Sequence, residues 1–338
     1  MEISYSRMST LKRCFRKYYY RYEKGLRKIK QASPPRMGSM GHKALEEKWK
    51  GNDWKQAIID YWRKEMNGIP EQFIDEDSKK EIELVTKVVE RYLNQYDYYR
   101  SPDEIDLIEP ELRFSVDIPG TDNKLMGYMD KVIEVPGEGV WLIDHKFTTK
   151  SPKTKTEHLE LNEQIDDYTW AVSKMFPDKN IMGAIWNVIK LDLPTVPQPI
   201  KTGKRLSKAK MTTDYKTYYQ AILDNSYNPN DYEDYLRRLK SEDDKFFKRE
   251  WIDRDAYELK NIEKELVAVS NLINHVDKDI RSRNMGQCYW DCPYKQLCLV
   301  DKKGGDSQSI IDEYFTISTI RKQRKQEKQS KEDNNNVF

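Results

Sequence analysis

The sequence predicts a mixed α/β fold in which a central mixed β-sheet is flanked by helices. Two apolar runs over residues 126–135 and 140–147 are rich in Val, Ile, Trp and Tyr, and the turn signal Pro-Gly-Glu-Gly between them indicates a hairpin. A helical pattern over residues 157–176 leads into a further apolar strand over residues 181–191. This strand–helix–strand order indicates a crossover connection, so we expect parallel as well as antiparallel pairs in the sheet.

The chain before the hairpin is predicted to be largely helical. Residues 6–22 interleave basic with aromatic side chains around Cys14, a composition that suits phosphate contact and base stacking. The same pattern fits an amphipathic helix with a solvated cationic face equally well. Further helices are predicted over residues 53–67 and 78–99, and the apolar face of the second belongs to the core. A strand over residues 106–118 then precedes the hairpin.

Helix is also predicted for most of the chain beyond residue 191. Helical patterns cover residues 231–248 and 254–280, and residues 246–251 read as a short strand. The loop over residues 193–210 has the charge to contact a nucleic-acid backbone, although lysines in such loops are usually just solvated. Residues 303–338 are predicted to form a basic, disordered tail, because apolar residues almost vanish from residue 319 onward.

Composition argues against a membrane protein and leaves the partners open. Of the 338 residues, 37% are hydrophobic and 34% are charged, and no uninterrupted apolar run approaches the length of a membrane span. The N-terminus MEISYSRMST lacks the apolar core of a signal peptide. We therefore expect a soluble protein in the cytoplasm of a bacterium or of a virus-infected cell. The net charge is +2, so nucleic-acid binding must come from local basic clusters.

Four cysteines lie towards the two ends of the chain. Cys14 is near the N-terminus, and Cys288, Cys292 and Cys298 are grouped in the segment CYWDCPYKQLC. Structural disulfides are rare in a reducing cytosol, and clustered thiols there indicate metal binding. The four thiols are enough to complete one metal centre.

The hairpin carries the candidate catalytic residues. Asp130 lies in its first strand and Asp144 in its second, each among apolar residues. Side chains alternate along a strand, so Asp144 and Lys146 share a face. Two carboxylates that share a divalent cation, with an ammonium beside them, can activate water against a phosphodiester. On the strand pair alone an exposed polar face is the commoner interpretation, but charges within such apolar strands require a partner, which favours a metal site.

Other polar residues are candidates to complete this site. His42 stands at a glycine-led helix start, GSMGH, where a single histidine is more often structural than a ligand. Gln164 and Tyr168 are four residues apart and therefore share one helix face. Glu109 and Glu111 fall on one face of the predicted 106–118 strand, from which either could reach the acidic site.

Taken in order, these motifs resemble the PD-(D/E)XK nuclease superfamily. The resemblance is closest to the branch that contains RecB-type nuclease domains, the AddB C-terminal nuclease and the CRISPR-associated iron–sulfur exonucleases. It is carried by Cys14 in its aromatic segment, the GSMGH helix start, GYMD as the G-x-x-D strand, DHK as the D-x-K strand, QIDDY as the Q-x-x-x-Y helix and the cysteine group. The first two cysteines of that group are separated by three residues where the family has two.

The resemblance implies a restriction-endonuclease-like core and a role for each site residue. His42, Asp130 and Asp144, with the main-chain carbonyl of His145, would bind Mg²⁺ or Mn²⁺. Lys146 would orient or deprotonate the attacking water, and Gln164 and Tyr168 would hold the DNA backbone. Glu111 would be a supporting acid.

The resemblance also implies a cluster and a domain layout. Cys14, Cys288, Cys292 and Cys298 would carry a structural [4Fe–4S] cluster, with zinc as the chemical alternative. The nuclease domain would span residues 1–302, with a helical part over 1–104, a catalytic core over 105–191 and a C-terminal helical and cysteine part over 211–302.

The expected function is that of a metal-dependent DNA exonuclease. It would hydrolyse single strands or DNA ends in recombination, repair or replication, with a helicase or recombination protein as a candidate partner. The first alternative is a non-catalytic DNA-binding scaffold that keeps the nuclease fold. Cleavage of RNA, or site-specific endonuclease action, is a further alternative.

Overall fold

A computed structural model describes residues 1–29, 33–66, 76–96, 106–209, 211–276, 282–288 and 292–318. The chain divides into two compact units. The first unit comprises Met1–Ala32, Phe114–Gly127 and Lys260–Phe338, and the second comprises Ser33–Arg113 and Tyr128–Leu259.

The described residues form helices and strands in the following order. The helices are α1 Tyr5–Arg13, α2 Phe15–Tyr18, α3 Ser33–Trp49, α4 Trp54–Met66, α5 Glu76–Tyr96, α6 Glu163–Met175, α7 Tyr215–Asp224, α8 Glu233–Ser241, α9 Ala256–His275, α10 Met285–Cys288, α11 Lys295–Lys302 and α12 Gln308–Tyr314. The strands are β1 Glu2–Ser4, β2 Leu26–Lys28, β3 Asp106–Asp117, β4 Lys124–Val135, β5 Gly139–Thr148, β6 Ile181–Lys190, β7 Phe247–Asp253 and β8 Phe315–Ile317.

The second unit is built on the predicted hairpin and its neighbouring strands. Strands β4 and β5 pair antiparallel, β5 and β6 pair parallel, and β6 and β7 pair antiparallel. Helix α6 supplies the crossover between β5 and β6 and packs on β6, while α3 packs on β5. The prediction of a mixed α/β fold with a central mixed sheet flanked by helices is therefore confirmed.

The core of the second unit lies between helices α3, α4 and α5 and the sheet. The predicted apolar face of the 78–99 helix is buried in it, as expected for residues at helical spacing. Arg36 on α3 and Glu81 on α5 form a buried bidentate ion pair, with nitrogen–oxygen distances of 2.8 and 2.7 Å. Buried charges of this kind are tolerated only when each is paired, so this contact fixes how the two helices meet.

The first unit joins residues that are far apart in the sequence. Strand β1 pairs parallel with the first residues of β4, and β2 pairs antiparallel with β8. The amide of Asn123 donates to Ser270 Oγ at 2.8 Å, and its carbonyl oxygen accepts from the N-terminal ammonium at 3.0 Å. A small core of apolar residues holds α11, α12 and β2 together: Tyr20, Leu26, Tyr294, Leu297 and Phe315.

The structure differs from the predicted helix over residues 6–22. The backbone of Cys14 is extended, with φ of −166° and ψ of 110°, and it separates α1 from α2. The chain then continues through a π-helical turn, Tyr19–Glu23. One uninterrupted helix was therefore the wrong prediction, because helical periodicity does not reveal a single extended residue.

The structure also differs from the predicted tail where its residues are described. Within residues 303–338, helix α12 and strand β8 are formed, so disorder was the wrong prediction for this part. The reason is packing, since Ile310, Ile311 and Phe315 join the small core of the first unit. Residues 319–338 lie outside the described residues, as do the predicted helix ends at 67, 97–99 and 277–280.

The other predicted elements match with shifted ends. The predicted strand at 246–251 is β7, whereas the predicted helix over 231–248 is only the shorter α8. Helix α6 begins after the N-cap Asn162 rather than at 157. Among the described helices, none is both long enough and apolar enough to cross a membrane.

Candidate active site

The β4–β5 hairpin brings Asp130 and Asp144 to adjacent positions. The main-chain ladder runs from Val135 and Gly139 to Lys131 and Ile143, so the next pair of positions is Asp130 and Asp144. Residues opposite each other on antiparallel strands point to the same face of the sheet. At this point the Asp130 carboxylate itself accepts a hydrogen bond from the His145 N–H, at 2.7 Å.

His42 provides the positive partner of Asp130. Its Nδ1 lies 3.0 Å from Asp130 Oδ1, and its ring meets the Phe147 ring edge to face with a centroid distance of 5.3 Å. A Cβ at Gly41 would overlap the Phe147 ring, so the glycine allows α3 to approach β5 closely enough for this contact. Gly41 therefore helps to position His42, but both residues lie inside α3 Ser33–Trp49, so the predicted helix start at this motif was wrong.

The environment of Asp130 favours its ionised form. Burial acts to raise the pKa of Asp130, but the charge of His42 and the hydrogen bond from His145 outweigh it and hold that pKa well below its ordinary value. Burial also acts to lower the pKa of His42, and the neighbouring Asp130 carboxylate reverses this and raises it. Each of the two residues therefore stabilises the charged form of the other.

Asp144 belongs to a second group, with Lys146 and Gln164. Lys146 Nζ lies 2.6 Å from Asp144 Oδ2 and donates to Gln164 Oε1 at 3.1 Å, while Gln164 Nε2 donates to Asp144 Oδ1 at 3.3 Å. The Lys146 ammonium also lies 4.6 Å from the centre of the Trp186 ring. These contacts fix the lysine between a carboxylate, an amide and an aromatic face.

One oxygen of the Asp144 carboxylate has no hydrogen-bond partner. Its Oδ2 atom is buried and makes no contact with hydrogen-bond geometry, even to the nearby Lys146. Burial raises the pKa of Asp144; the Lys146 charge opposes this rise, and the Asp130 charge adds to it. Lys146 is the cation beside Asp144, and its charge only partly offsets the cost of burying this carboxylate.

Helix α6 positions Gln164 and Tyr168. The Asn162 side chain caps the helix by accepting from the N–H groups of Gln164 and Ile165, at 3.0 and 3.3 Å. The two site residues therefore share the face that meets β5 and β6. Burial raises the pKa of Tyr168, and the Asp144 charge adds to that rise, so its hydroxyl stays protonated.

The donors suit a hard divalent cation, although they are not yet gathered around one point. Carboxylate oxygens with one imidazole are ligands that Mg²⁺ and Mn²⁺ accept, and the buried Asp144 Oδ2 atom has no hydrogen-bond partner. Within the ranges that the structure describes, no three His, Cys, Asp or Glu side chains form a group that could hold a metal ion. Each carboxylate takes its positive partner from the protein instead, Asp130 from His42 and Asp144 from Lys146.

A cavity of about 350 Å³ opens beside His42 and Asp130 and is also lined by Glu46 and Glu111. Glu111 has a φ of +52°, which is unusual for a residue with a side chain. Burial and a hydrogen bond with Glu46 raise the pKa of Glu111. The supporting role predicted for Glu111 remains a prediction, and the side chain of Glu109 lies outside the described residues.

A polar row behind His145 was missed by sequence reasoning. His145, Asn187 and Arg249 are register partners across β5, β6 and β7. Arg249 Nε donates to Asn187 Oδ1 at 2.6 Å, and Arg249 also donates to the Tyr92 hydroxyl at 3.2 Å. The Tyr92 ring in turn meets the His145 ring edge to face at 5.7 Å. The one available signal was an asparagine within the otherwise apolar strand IMGAIWNVIK.

The four predicted cluster ligands all lie in the first unit as free thiols. Burial raises the pKa of the Cys292 thiol, and the neighbouring Cys288 and Cys14 add to this rise. Cys298 Sγ accepts from Arg283 Nε at 2.9 Å, and Cys288 contacts the main-chain oxygen of Asn284 at 3.5 Å. Thiolates suit iron–sulfur clusters and zinc, but the described cysteines do not form a group of three around one point.

Comparison with known proteins identifies the class. The family model of the PD-(D/E)XK nuclease superfamily matches residues 2–299, and the chain belongs to that superfamily. Membership implies nuclease, and therefore hydrolase, activity, and superfamily members typically use Mg²⁺ or Mn²⁺.

Other comparisons add little. No curated protein matches the chain. Among solved structures, the crystal structure of SSO0001 matches with a TM-score of 0.21 and 15% identity, over 58% of this chain and 77% of that chain. A likeness at this level carries no argument about the fold.

We predict that Asn187 and Arg249 are energetically coupled. Arg249→Met leaves the buried Asn187 oxygen without its donor, which should lower the free energy of unfolding by about 1–3 kcal/mol. Arg249→Met combined with Asn187→Leu should cost less than the sum of the two single changes, because no polar group is then stranded. Urea unfolding of the four proteins measures the coupling. If the two single changes in the free energy of unfolding simply add up in the double variant, the predicted coupling of Asn187 with Arg249 is contradicted.

Proposed function

We propose that this protein is a metal-dependent DNA exonuclease of the iron–sulfur RecB/AddB-like branch, acting on single strands or DNA ends. One observation carries the proposal: Asp130 and Asp144 occupy opposed positions on neighbouring strands, with Lys146 2.6 Å from Asp144, in a chain that belongs to a nuclease superfamily. Recombination, repair and replication produce such strands and ends. A helicase or a recombination protein is therefore the class of partner that we expect for this activity.

In this proposal His42, Asp130, Asp144 and the main-chain carbonyl of His145 hold Mg²⁺ or Mn²⁺. When bound, such an ion polarises a phosphoryl oxygen and lowers the pKa of water. The His145 main chain is already fixed, because its N–H donates to Asp130. Two features support this ligand set: the environment of Asp130 favours its ionised form, and the Asp144 Oδ2 atom has no hydrogen-bond partner.

The chain's other site residues orient the reactants. Lys146 directs the attacking water and offsets the negative charge that develops on the phosphate. Gln164 accepts from Lys146 at 3.1 Å and so keeps the ammonium beside Asp144. Gln164 and Tyr168 together present amide and hydroxyl groups from one helix face, which position the DNA backbone.

We predict that Asp144→Asn and Lys146→Met each lower nuclease activity at least about a hundredfold, since each removes charge from the reacting centre without changing side-chain size much. The assay measures hydrolysis of labelled DNA with Mg²⁺ or Mn²⁺, and chelation by EDTA should abolish it. A matched control exists at the end of β6, where Lys190 and Asp192 form an ion pair of the same spacing, with a distance of 2.8 Å. Lys190→Met and Asp192→Asn should leave the rate unchanged. Full activity in the Asp144 and Lys146 variants would remove these residues from the mechanism.

The substrate form separates exonuclease from endonuclease action. End-labelled single strands should be degraded, whereas covalently closed circles of the same sequence should survive. Equal cleavage of circles, or a preference for RNA, would replace the proposed activity with one of the alternatives.

A non-catalytic DNA-binding scaffold is the second candidate function. It is favoured by the pairing of both carboxylates with protein cations in the described residues, which form no metal-holding group of three. Tight DNA binding without cleavage under any divalent metal would establish it.

We further propose that Cys14, Cys288, Cys292 and Cys298 carry a structural [4Fe–4S] cluster. The support is that all four thiols lie in one compact unit and that Cys14 and Cys288 are near enough to raise the pKa of the Cys292 thiol. The cluster would link the two ends of the chain and stabilise this unit.

We predict that anaerobically purified protein is brown, with broad visible absorbance and bound iron and sulfide. Cys292→Ser should remove the colour and lower the thermal stability, because one ligand is lost from the centre. Colourless protein with stoichiometric zinc would overturn the iron assignment, and a metal-free stable protein would overturn the centre altogether.

A further inference from the structure

Three guanidinium groups surround one tyrosine ring in the first unit, and the proposed function gives them no role. The Cζ atoms of Arg7, Arg21 and Arg27 each lie 5.6 Å from the centroid of Tyr22. These residues, called the arginine cluster below, come from α1, from the π-helical turn Tyr19–Glu23 and from β2. Single π-helical turns frequently mark functional sites.

The positive charge of the arginine cluster is largely uncompensated. Glu23 lies 3.4 Å from Arg7, but no described carboxylate is within ion-pair distance of Arg21 or Arg27. The Nε atom of Arg21 is buried and has no hydrogen-bond partner. Like charges held close together are unfavourable unless an anion joins them.

Neutral groups hold the guanidinium groups in place. The Tyr18 hydroxyl accepts from Arg7 at 3.0 and 2.8 Å. Arg27 donates to the main-chain oxygens of Arg21 and Leu26, at 2.5 and 3.0 Å. Such partners orient the cations without neutralising them, so the site is arranged in advance for a negatively charged ligand.

The surroundings indicate an extended polyanion rather than one small ion. Further exposed cationic side chains occur in the same stretch of sequence, among them Arg13, Lys24 and Lys28. The planar guanidinium fork matches the oxygens of a phosphate group. A nucleic-acid backbone combines these features, with phosphates repeated along a chain.

We propose that the arginine cluster binds the phosphodiester backbone of a nucleic-acid strand, as a non-catalytic anchoring site within the first unit. The choice of nucleic acid as the ligand rests on the proposed function, whereas the positive site itself does not.

The experiment measures binding in a chain that cannot cut, carrying Asp144→Asn. Fluorescence anisotropy follows a labelled oligothymidylate at several salt concentrations. Arg21→Gln and Arg27→Gln should each weaken binding about tenfold, as for one charge-assisted hydrogen bond. Each should also reduce the slope of log affinity against log salt by about 0.7.

Two matched variants test whether a loss of binding is caused by the lost charge at this site and not by a general change in the protein. Arg21→Lys keeps the charge and should retain the salt slope while it loses part of the affinity. Arg237→Gln removes the same charge from α8 in the second unit, at a side chain that is 69% exposed, and should leave both the affinity and the slope unchanged.

The outcomes distinguish the anchoring site from the nuclease proposal. Arginine-dependent binding by a protein that never cleaves DNA would support the anchor and reject the nuclease. An unchanged salt slope for Arg21→Gln and Arg27→Gln in the Asp144→Asn chain, with normal cleavage by the same two variants when Asp144 is intact, would reject the anchor alone. Polyglutamate that competes as well as oligothymidylate at equal charge would overturn the assignment to nucleic acid.

Discussion

The constraint on which the second unit depends is the juxtaposition of two carboxylates at the end of the β4–β5 ladder. Asp130 and Asp144 lie at opposed positions among apolar strands, where like charges repel strongly. A separate basic side chain lies beside each carboxylate and offsets its charge: His42 beside Asp130, and Lys146 beside Asp144. A shared metal ion would offset the negative charge of both carboxylates in the same way. Because two close carboxylates among apolar strands require positive charge beside them, we interpret the pair as a functional site and not as a surface feature.

Several features away from the acids serve to hold their partners. Gly41 allows α3 to reach the Phe147 ring, which brings His42 to Asp130. The Asn162 cap starts α6 at the point where Gln164 meets Lys146. The packing of α3 on β5 and the capping of α6 therefore determine the positions of His42 and Gln164, and catalytic sites require such support from surrounding residues.

Local sequence rules were sufficient for part of this site. The turn signal and the alternation of side chains place Asp130, Asp144 and Lys146 on one face, and the four-residue spacing places Gln164 with Tyr168. The contact of His42 with Asp130 depends on how α3 packs on β5, and the Asn187–Arg249 row depends on strand order. Neither follows from periodicity. The extended backbone at Cys14 and the pairing of β8 with β2 were likewise set by contacts between distant residues.

The central claim is that the two acids bind one cation. The most direct measurement is anomalous diffraction from a crystal of the protein soaked with Mn²⁺. The account predicts a single ion bound by carboxylate oxygens of both Asp130 and Asp144, with the His42 imidazole among its ligands. Acids that point away from each other, or an ion bound by only one of them, would contradict it.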